Sequence, residues 1–345
     1  MMVSSRAPRG CPRRVRRFHP GLAVLVALAA APVLGGCELT EVTVTESEDV
    51  VIAEVQVTID LDDAGATSLS VYAYLHRTLS GARADEVEGA VVRVSGASNA
   101  AVHLEAADSG GVCLAPLFEE DDEEEDDDFE LDIGSCYRAT VSPSPFSPGE
   151  TVELEIIVPD GRTLTGVSRI PDAFDFIGLT HENGQCRIEP DTNYRFNWTE
   201  AAGTWSYLSD TWIEGLPEAL AGQDVEAPDS LYLTGFAIGE KDTDILFPGE
   251  YGLFDLGEGA DADLLRILDD GLPGGASAEV AFAATDRNWV NWARGGNFNP
   301  SGLIRIPSVF GDGTGFFGTA TLRVLNVVST PAGDEMSPLC GPAES

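Results

Sequence analysis

From Val50 onward, apolar and polar residues alternate along the chain. VVIAEVQVTID changes character at nearly every position, and SLSVYAYLHRTL sets Leu69, Val71, Ala73 and Leu75 on one face and Tyr72, Tyr74 and His76 on the other. A period of two, carried by β-branched and aromatic residues, marks strands half buried in a sheet. The same reading predicts strands at 90–94, 101–105, 137–141, 152–158 and 164–170. Between them lie reversal signals such as PSPFSPGE and PDGR, where Pro presets φ and Gly or Asp permits a turn. Short strands at this interval predict a β-sandwich over 50–172.

After Ile170 the text changes to PDAFDFIG, and a second mainly-β domain is expected over 173–345. NYRFNWT (193–199) and TWSYLSDTWI (204–213) read as a strand pair joined at 200–203, with further strands at 230–238, 278–284 and 320–328. Trp198, Trp205 and Trp212 are expected in its core or at its mouth. Helix is the minority element, expected at 261–269 and 286–294, with Asp261 and Asp286 placed to cap the first turns. The fold class expected is all-β, two sheet-rich bodies with minor helix.

The first 49 residues break the alternation. Residues 1–20 hold six arginines and no acid, and the apolar run LAVLVALAAAPVL (22–34) follows. This is the layout of a signal peptide, and the run falls short of the ~20 residues that cross a bilayer as a helix. It ends in Leu34-Gly35-Gly36-Cys37, which resembles the lipobox of bacterial lipoproteins. That resemblance implies cleavage after residue 36, a lipid on the Cys37 thiol, and attachment to a membrane through acyl chains. Glu38, where such proteins carry Asp for inner-membrane retention, implies the outer membrane. The doubled arginines lack the rest of a twin-Arg export motif. Residues 37–49, polar and acidic, read as a tether.

Charge narrows the partners. Lys+Arg 20 against Asp+Glu 58 gives −38, and loss of residues 1–36 leaves 14 basic and 58 acidic residues, a net of −44. Such a surface repels phosphate, so nucleic acid is excluded as a partner, as is polybasic attachment to anionic lipid. With 43% hydrophobic residues the chain has enough apolar content to fold.

Much of the acidity is concentrated. Glu119, Glu120, Asp121, Asp122, Glu123, Glu124, Glu125, Asp126, Asp127 and Asp128 run without a break, and Glu130 and Asp132 extend the insertion to 119–132. The run reads as a self-repelling, solvated loop; loose capture of Ca²⁺ by many carboxylates is the functional alternative. No other cofactor is expected. The nearest approach to a spaced calcium loop, Asp60-Leu-Asp62-Asp63-Ala64-Gly65, has Ala at the third ligand position and Val71 at the twelfth, and reads as a turn.

Cys11 leaves with the leader and Cys37 takes lipid, so Cys113, Cys136, Cys186 and Cys340 remain. An even number in an exported chain predicts two disulfides. Of three connectivities, Cys113–Cys136 with Cys186–Cys340 is favoured, because the first closes the acidic insertion and the second ties the C-terminus to the start of the second domain. No C-x₂-C spacing or adjacent His supports a metal site.

A lipobox, then VEGAVVRVSG, CYRATV and PGETVELEIIVPDGRTLTGVSRIP, then the Asn- and Gly-rich GNFNPSGLIRIPSVFGDGTGFFG, together resemble a family of uncharacterised bacterial lipoproteins. The resemblance spans most of 50–328. It implies an immunoglobulin-like or transthyretin-like N-terminal domain and a gene neighbourhood containing TonB-dependent outer-membrane receptors. The acidic insertion and the near absence of lysine, with Lys241 alone, depart from it. The family has no catalytic residues to map.

Gly313-Thr-Gly315-Phe-Phe-Gly318 matches G-x-G-x-x-G in letters, but a strand rather than a helix is expected next, so the glycines read as tight reversals. His76, His103 and His181 are isolated in sequence, and neither H-E-x-x-H nor G-x-S-x-G occurs. The expectation is a non-enzymatic, lipid-anchored envelope protein with a binding or accessory role, the resemblance implying a TonB-dependent receptor as partner. A Ca²⁺-stabilised structural or adhesion module is the alternative.

Overall fold

The computed structural model describes residues 49–62, 67–78, 87–107, 113, 134–182, 184–223, 225–239, 241–249, 251–252, 262–294, 306–330 and 338–341. The fold is mostly strand. The alternation at the start of the body becomes β1 (Val51–Leu61) and β2 (Thr67–Arg77), antiparallel from Leu61↔Thr67 out to Val51↔Arg77. Val51, Ala53, Val55, Val57 and Ile59 point inward from β1, as do Leu69, Val71, Ala73 and Leu75 from β2.

β3 (Val91–Gly96), β4 (Ala101–His103), β5 (Glu105–Ala106), β6 (Ser135–Val141), β7 (Thr151–Ile157) and β8 (Thr163–Arg169) follow near their expected positions. β5 and β6 extend the β1–β2 side, while β4, β3, β7 and β8 hydrogen-bond in that order. Val92, Val94, Leu154, Ile156 and Leu164 meet the inward residues of β1 and β2 in one core. Tyr137 on β6 is buried there. Its hydroxyl accepts from Ala90 N–H at 2.9 Å and donates to Val87 O at 2.8 Å, tying the chain ahead of β3 to the core. Tyr137→Phe strands both backbone groups in a dry site, so it is expected to cost about 1–3 kcal/mol, read as a lowered urea midpoint with unchanged slope.

The second half holds β9 (Gln185–Ile188), β10 (Tyr194–Asn197), β11 (Ser206–Glu214), α1 (Leu216–Ala219), β12 (Ser230–Ile238), β13 (Asp244–Phe247), β14 (Tyr251–Gly252), α2 (Ala262–Asp270), β15 (Ser277–Thr285) and α3 (Arg287–Arg294). The last strands are β16 (Val309–Gly311) and β17 (Gly313–Ser329). Asp286 caps α3 as expected, accepting from Trp289 N–H at 3.0 Å. Asp261 lies outside the described residues.

Two expectations are corrected here. Residues 193–199 and 204–213 are not a pair: β10 pairs β13, from Tyr194↔Phe247 to Asn197↔Asp244, and β11 lies between β12 and β15. Both neighbours match β11 along its nine residues, whereas β10 offers four. β10 instead lays Phe196 against Phe282 at 5.2 Å and Phe247 at 5.8 Å, covering the inner face of the β11–β15 sheet.

The second correction concerns the glycines of G-x-G-x-x-G. They do not make reversals; all three lie within β17, which starts at Gly313 rather than at residue 320. β17 runs parallel to β1 over its first part, Val51↔Gly313 to Asp60↔Leu322, and antiparallel to β15 over its last, Thr285↔Ala320 to Ser277↔Val328. Gly315 has φ +146, and a Cβ there would stand 1.9 Å from Ala53 O, so only glycine permits this pairing.

Residues 48–345 form one compact unit with two cores. The first takes its residues from 51–170 together with Val309 and Phe317; the second draws on residues between Phe174 and Cys340. β17 supplies Phe317 to the first and Leu325 and Val327 to the second. Beside that strand, Ser168 on β8 donates its hydroxyl to the buried Asp286 carboxylate and lies 3.0 Å from Thr319 Oγ1.

Candidate functional site

Both favoured disulfides are present, Cys113–Cys136 and Cys186–Cys340. Cys136 sits on β6 opposite Tyr74 of β2. Cys186 sits on β9, and the C-terminal segment runs beside it, with Arg187 N–H donating to Pro338 O at 2.8 Å and Cys340 N–H to Arg187 O at 2.7 Å. Cys37, the leader and the acidic run 119–128 lie outside the described residues. Among the described residues no cluster of three or more His, Cys, Asp or Glu could hold a metal ion, and no helix is long and apolar enough to cross a membrane. In the calcium-like stretch, Asp60 accepts from Ser68 Oγ at 3.0 Å across the β1–β2 pair.

The first described residue is held by a charge cluster. Asp49 pairs with Arg77 and Arg162, and Asp160 pairs with the same two arginines. Arg162 also donates to Asp49 O at 2.9 Å. Hydrogen bonds from the Arg162 side chain and backbone hold the Asp160 carboxyl far below the usual carboxylate range. The cluster therefore fixes Asp49 against Arg77 and Arg162.

The three tryptophans have three fates. Trp198 is buried beside Tyr207 and Phe282. Trp205, just ahead of β11, is 44% exposed, with the Arg287 guanidinium 5.0 Å above its ring. Trp212 is half-buried: Tyr207, Thr211 and Ile213 turn inward from β11, so Trp212 faces the other side of the sheet.

Trp212 lines a groove on the outward face of the β12–β11–β15–β17–β9 part of the sheet. The registers Trp212↔Tyr232, Trp212↔Glu279, Glu279↔Asn326 and Asn326↔Gln185 set one row of side chains across β12, β11, β15, β17 and β9. Gln185, Trp212, Glu214, Ser230, Ser277, Glu279 and Asn326 line about 700 Å³ of space. The Trp212 and Tyr232 rings lie 4.7 Å apart, tilted by 43°. Beside them on the same face, the Asp210 carboxylate hydrogen-bonds the Tyr232 hydroxyl and accepts from Thr234 Oγ1 at 3.0 Å. The half-buried ring pair is thus held in place by a neighbouring carboxylate.

Burial raises the Asp210 carboxyl above its ordinary value, against the lowering effect of those two hydrogen bonds, and burial raises the Tyr232 hydroxyl as well. A carboxyl whose pKa is higher folded than unfolded binds its proton first in the folded state. Its contribution is then fully present below the unfolded value of 3.8 and lost as pH rises through the folded value. Other groups titrate too, so the comparison must be a difference. Lowering pH from about 7 to about 4 is expected to raise the melting temperature of the wild type relative to Asp210→Asn, whose amide does not titrate. Parallel melting curves at the two pH values would refute the assignment.

The sequence did not single out this groove. Its lining includes residues 185, 212, 279 and 326, and of these the sequence reading named Trp212 alone, expected in the core or at its mouth.

No family model matches the sequence, and no curated protein matches it. Among solved structures, a cycloalternan-degrading enzyme from Trueperella pyogenes is similar over 75% of this chain and 33% of its own, with 11% identity and a TM-score of 0.27. The chain spans about a third of that enzyme's length. The full ectodomain of mouse nectin-like molecule 4, with three immunoglobulin domains, is similar over 84% of this chain and 67% of its own, with 10% identity and a TM-score of 0.20. Dpr11 IG1 bound to DIP-gamma is similar over 82% of this chain, with 8% identity and a TM-score of 0.19.

Proposed function

We propose that this chain is an envelope protein anchored in the outer membrane by lipid on Cys37, with a binding or accessory role rather than a catalytic one. In this reading its first core belongs to an immunoglobulin-like or transthyretin-like sandwich. The observation that carries the binding role is the open groove, where aromatic and hydrogen-bonding side chains converge on a rigid sheet. The anchor is supported by the leader and lipobox, and export by two disulfides, which persist in oxidising compartments. The thirteen residues from Cys37 to Asp49, twelve steps, reach at most about 43 Å when extended, so the clamp at Asp49 keeps the body near the membrane surface. A TonB-dependent receptor as partner follows from the family resemblance.

The test is fractionation with mass spectrometry of native material. The Cys37 peptide should carry diacylglycerol, and Cys37→Ser should move the protein from the membrane to the soluble fraction. An unmodified Cys37 peptide, or an intact leader on cytosolic protein, would overturn the anchor. Detergent extracts in which no receptor or ligand is enriched with the protein would count against the accessory role.

A further inference from the structure

We propose that the groove across β12, β11, β15, β17 and β9 binds a neutral saccharide, with Trp212, packed on Tyr232, as stacking platform and Asn326, Gln185 and Glu279 as hydroxyl partners. This rests on the binding role proposed above and names its ligand class. A sugar presents an apolar C–H face and a rim of hydroxyls that both donate and accept. The groove supplies the matching parts in one row: two rings 4.7 Å apart, then a carboxylate, then two amides, on successive hydrogen-bonded strands.

The choice of ligand follows from the donor set. A cation needs acceptors alone and would leave the amide N–H groups of Asn326 and Gln185 unused. An anion would meet Glu279 and Glu214 with no basic residue among the lining side chains, on a chain of net charge −38. Amide, carboxylate and hydroxyl together suit a neutral polyol, and a space of about 700 Å³ holds more than one ring of such a chain. Rigidity favours binding as well. The Tyr232 hydroxyl is tied to Asp210, itself held by Thr234, so the platform loses little freedom when it is covered.

The experiment uses the full chain in a detergent without a sugar headgroup. Maltohexaose, cellohexaose and a mannohexaose serve as neutral probes, hexagalacturonate as the anionic one and spermine as the cationic one, followed by tryptophan fluorescence and calorimetry. At least one neutral hexasaccharide should bind with a dissociation constant of about 1 mM or tighter. Trp212→Ala should weaken it about tenfold and the exposed Asn326→Ala about threefold, while Trp292→Ala on α3 leaves it within about twofold. Asn326→Ala keeps the test valid should Trp212→Ala fail to fold.

No binding of any neutral hexasaccharide at about 10 mM overturns the proposal. So does binding indifferent to both groove variants, or tighter binding of spermine or hexagalacturonate than of every neutral probe. Because the Cys37→Ser fractionation does not involve the groove, failure of the saccharide reading and failure of the anchor are read separately.

Discussion

Gly315→Ala is expected to abolish cooperative folding or to cost more than about 4 kcal/mol, the range reserved for substitutions that break a named feature. Gly315 is the register partner of Ala53, deep in the parallel β1–β17 pair. An added Cβ would stand 1.9 Å from Ala53 O and 2.8 Å from Ala53 N, and the backbone φ of +146 is one that L residues rarely adopt. No side chain can swing aside, because the clash is with backbone. Relief requires β1 and β17 to part, which uncovers Val55 and Phe317 in the first core and disturbs the strand that also carries Leu325 and Val327 into the second. Gly222→Ala is the control. Nothing lies within 4 Å of a Cβ at Gly222, so its effect should stay within about 0.5 kcal/mol. Guanidinium denaturation of the two variants decides the matter. A Gly315→Ala protein within about 1 kcal/mol of wild type would show that the strands are not paired in this register.

Removing the disulfide between Cys186 and Cys340 is expected to be the next most damaging change. The bond closes a loop with a sequence separation of 154, and the chain-entropy relation assigns such a loop about 5 kcal/mol. Cys113–Cys136 closes a separation of 23, for which the same relation assigns about 3 kcal/mol. The double variant Cys186→Ala/Cys340→Ala should therefore lose more stability than Cys113→Ala/Cys136→Ala in denaturant titrations under oxidising conditions. Both cysteines of the longer loop are fully buried, so the loss of packing adds to the loss of the link. The backbone bonds between Arg187 and the 338–340 segment depend on that link, and amide exchange at position 340 should quicken most in the variant. Equal destabilisation by the two double variants would count against the loop-entropy account.

Much of the strand content was legible because it is written locally. The inward set on β2, Leu69, Val71, Ala73 and Leu75, is one that alternation picked out, since a side chain in an extended backbone has only two faces to choose from. The cap at Asp286 was legible for the same reason: it satisfies an N–H three residues away. The cysteine pairing followed from count and position, and both bonds are found.

Pairing over distance was not legible. The short interval between 193–199 and 204–213 suggested a hairpin, yet β11 takes partners that match its length, and β10 lends Phe196 to the aromatic cover. The glycines of 313–318 look the same on paper whether they turn the chain or let two backbones touch. Only the presence of Ala53 beside Gly315 decides which. The groove is further still from sequence, because its row of side chains is assembled by four strand registers.

By itself, then, the sequence determined the β character, the face that β2 buries, the cap of α3, the pairing of four cysteines and the strongly acidic charge. Tertiary structure alone decided that one long strand serves both cores, that Trp212 and Tyr232 stand beside Glu279, Asn326 and Gln185, and that Asp49 is clamped by two distant arginines. The physical reason is one of range. Burial preference and backbone extension act within a few residues, whereas strand partnership depends on matching lengths and on how closely two backbones can approach.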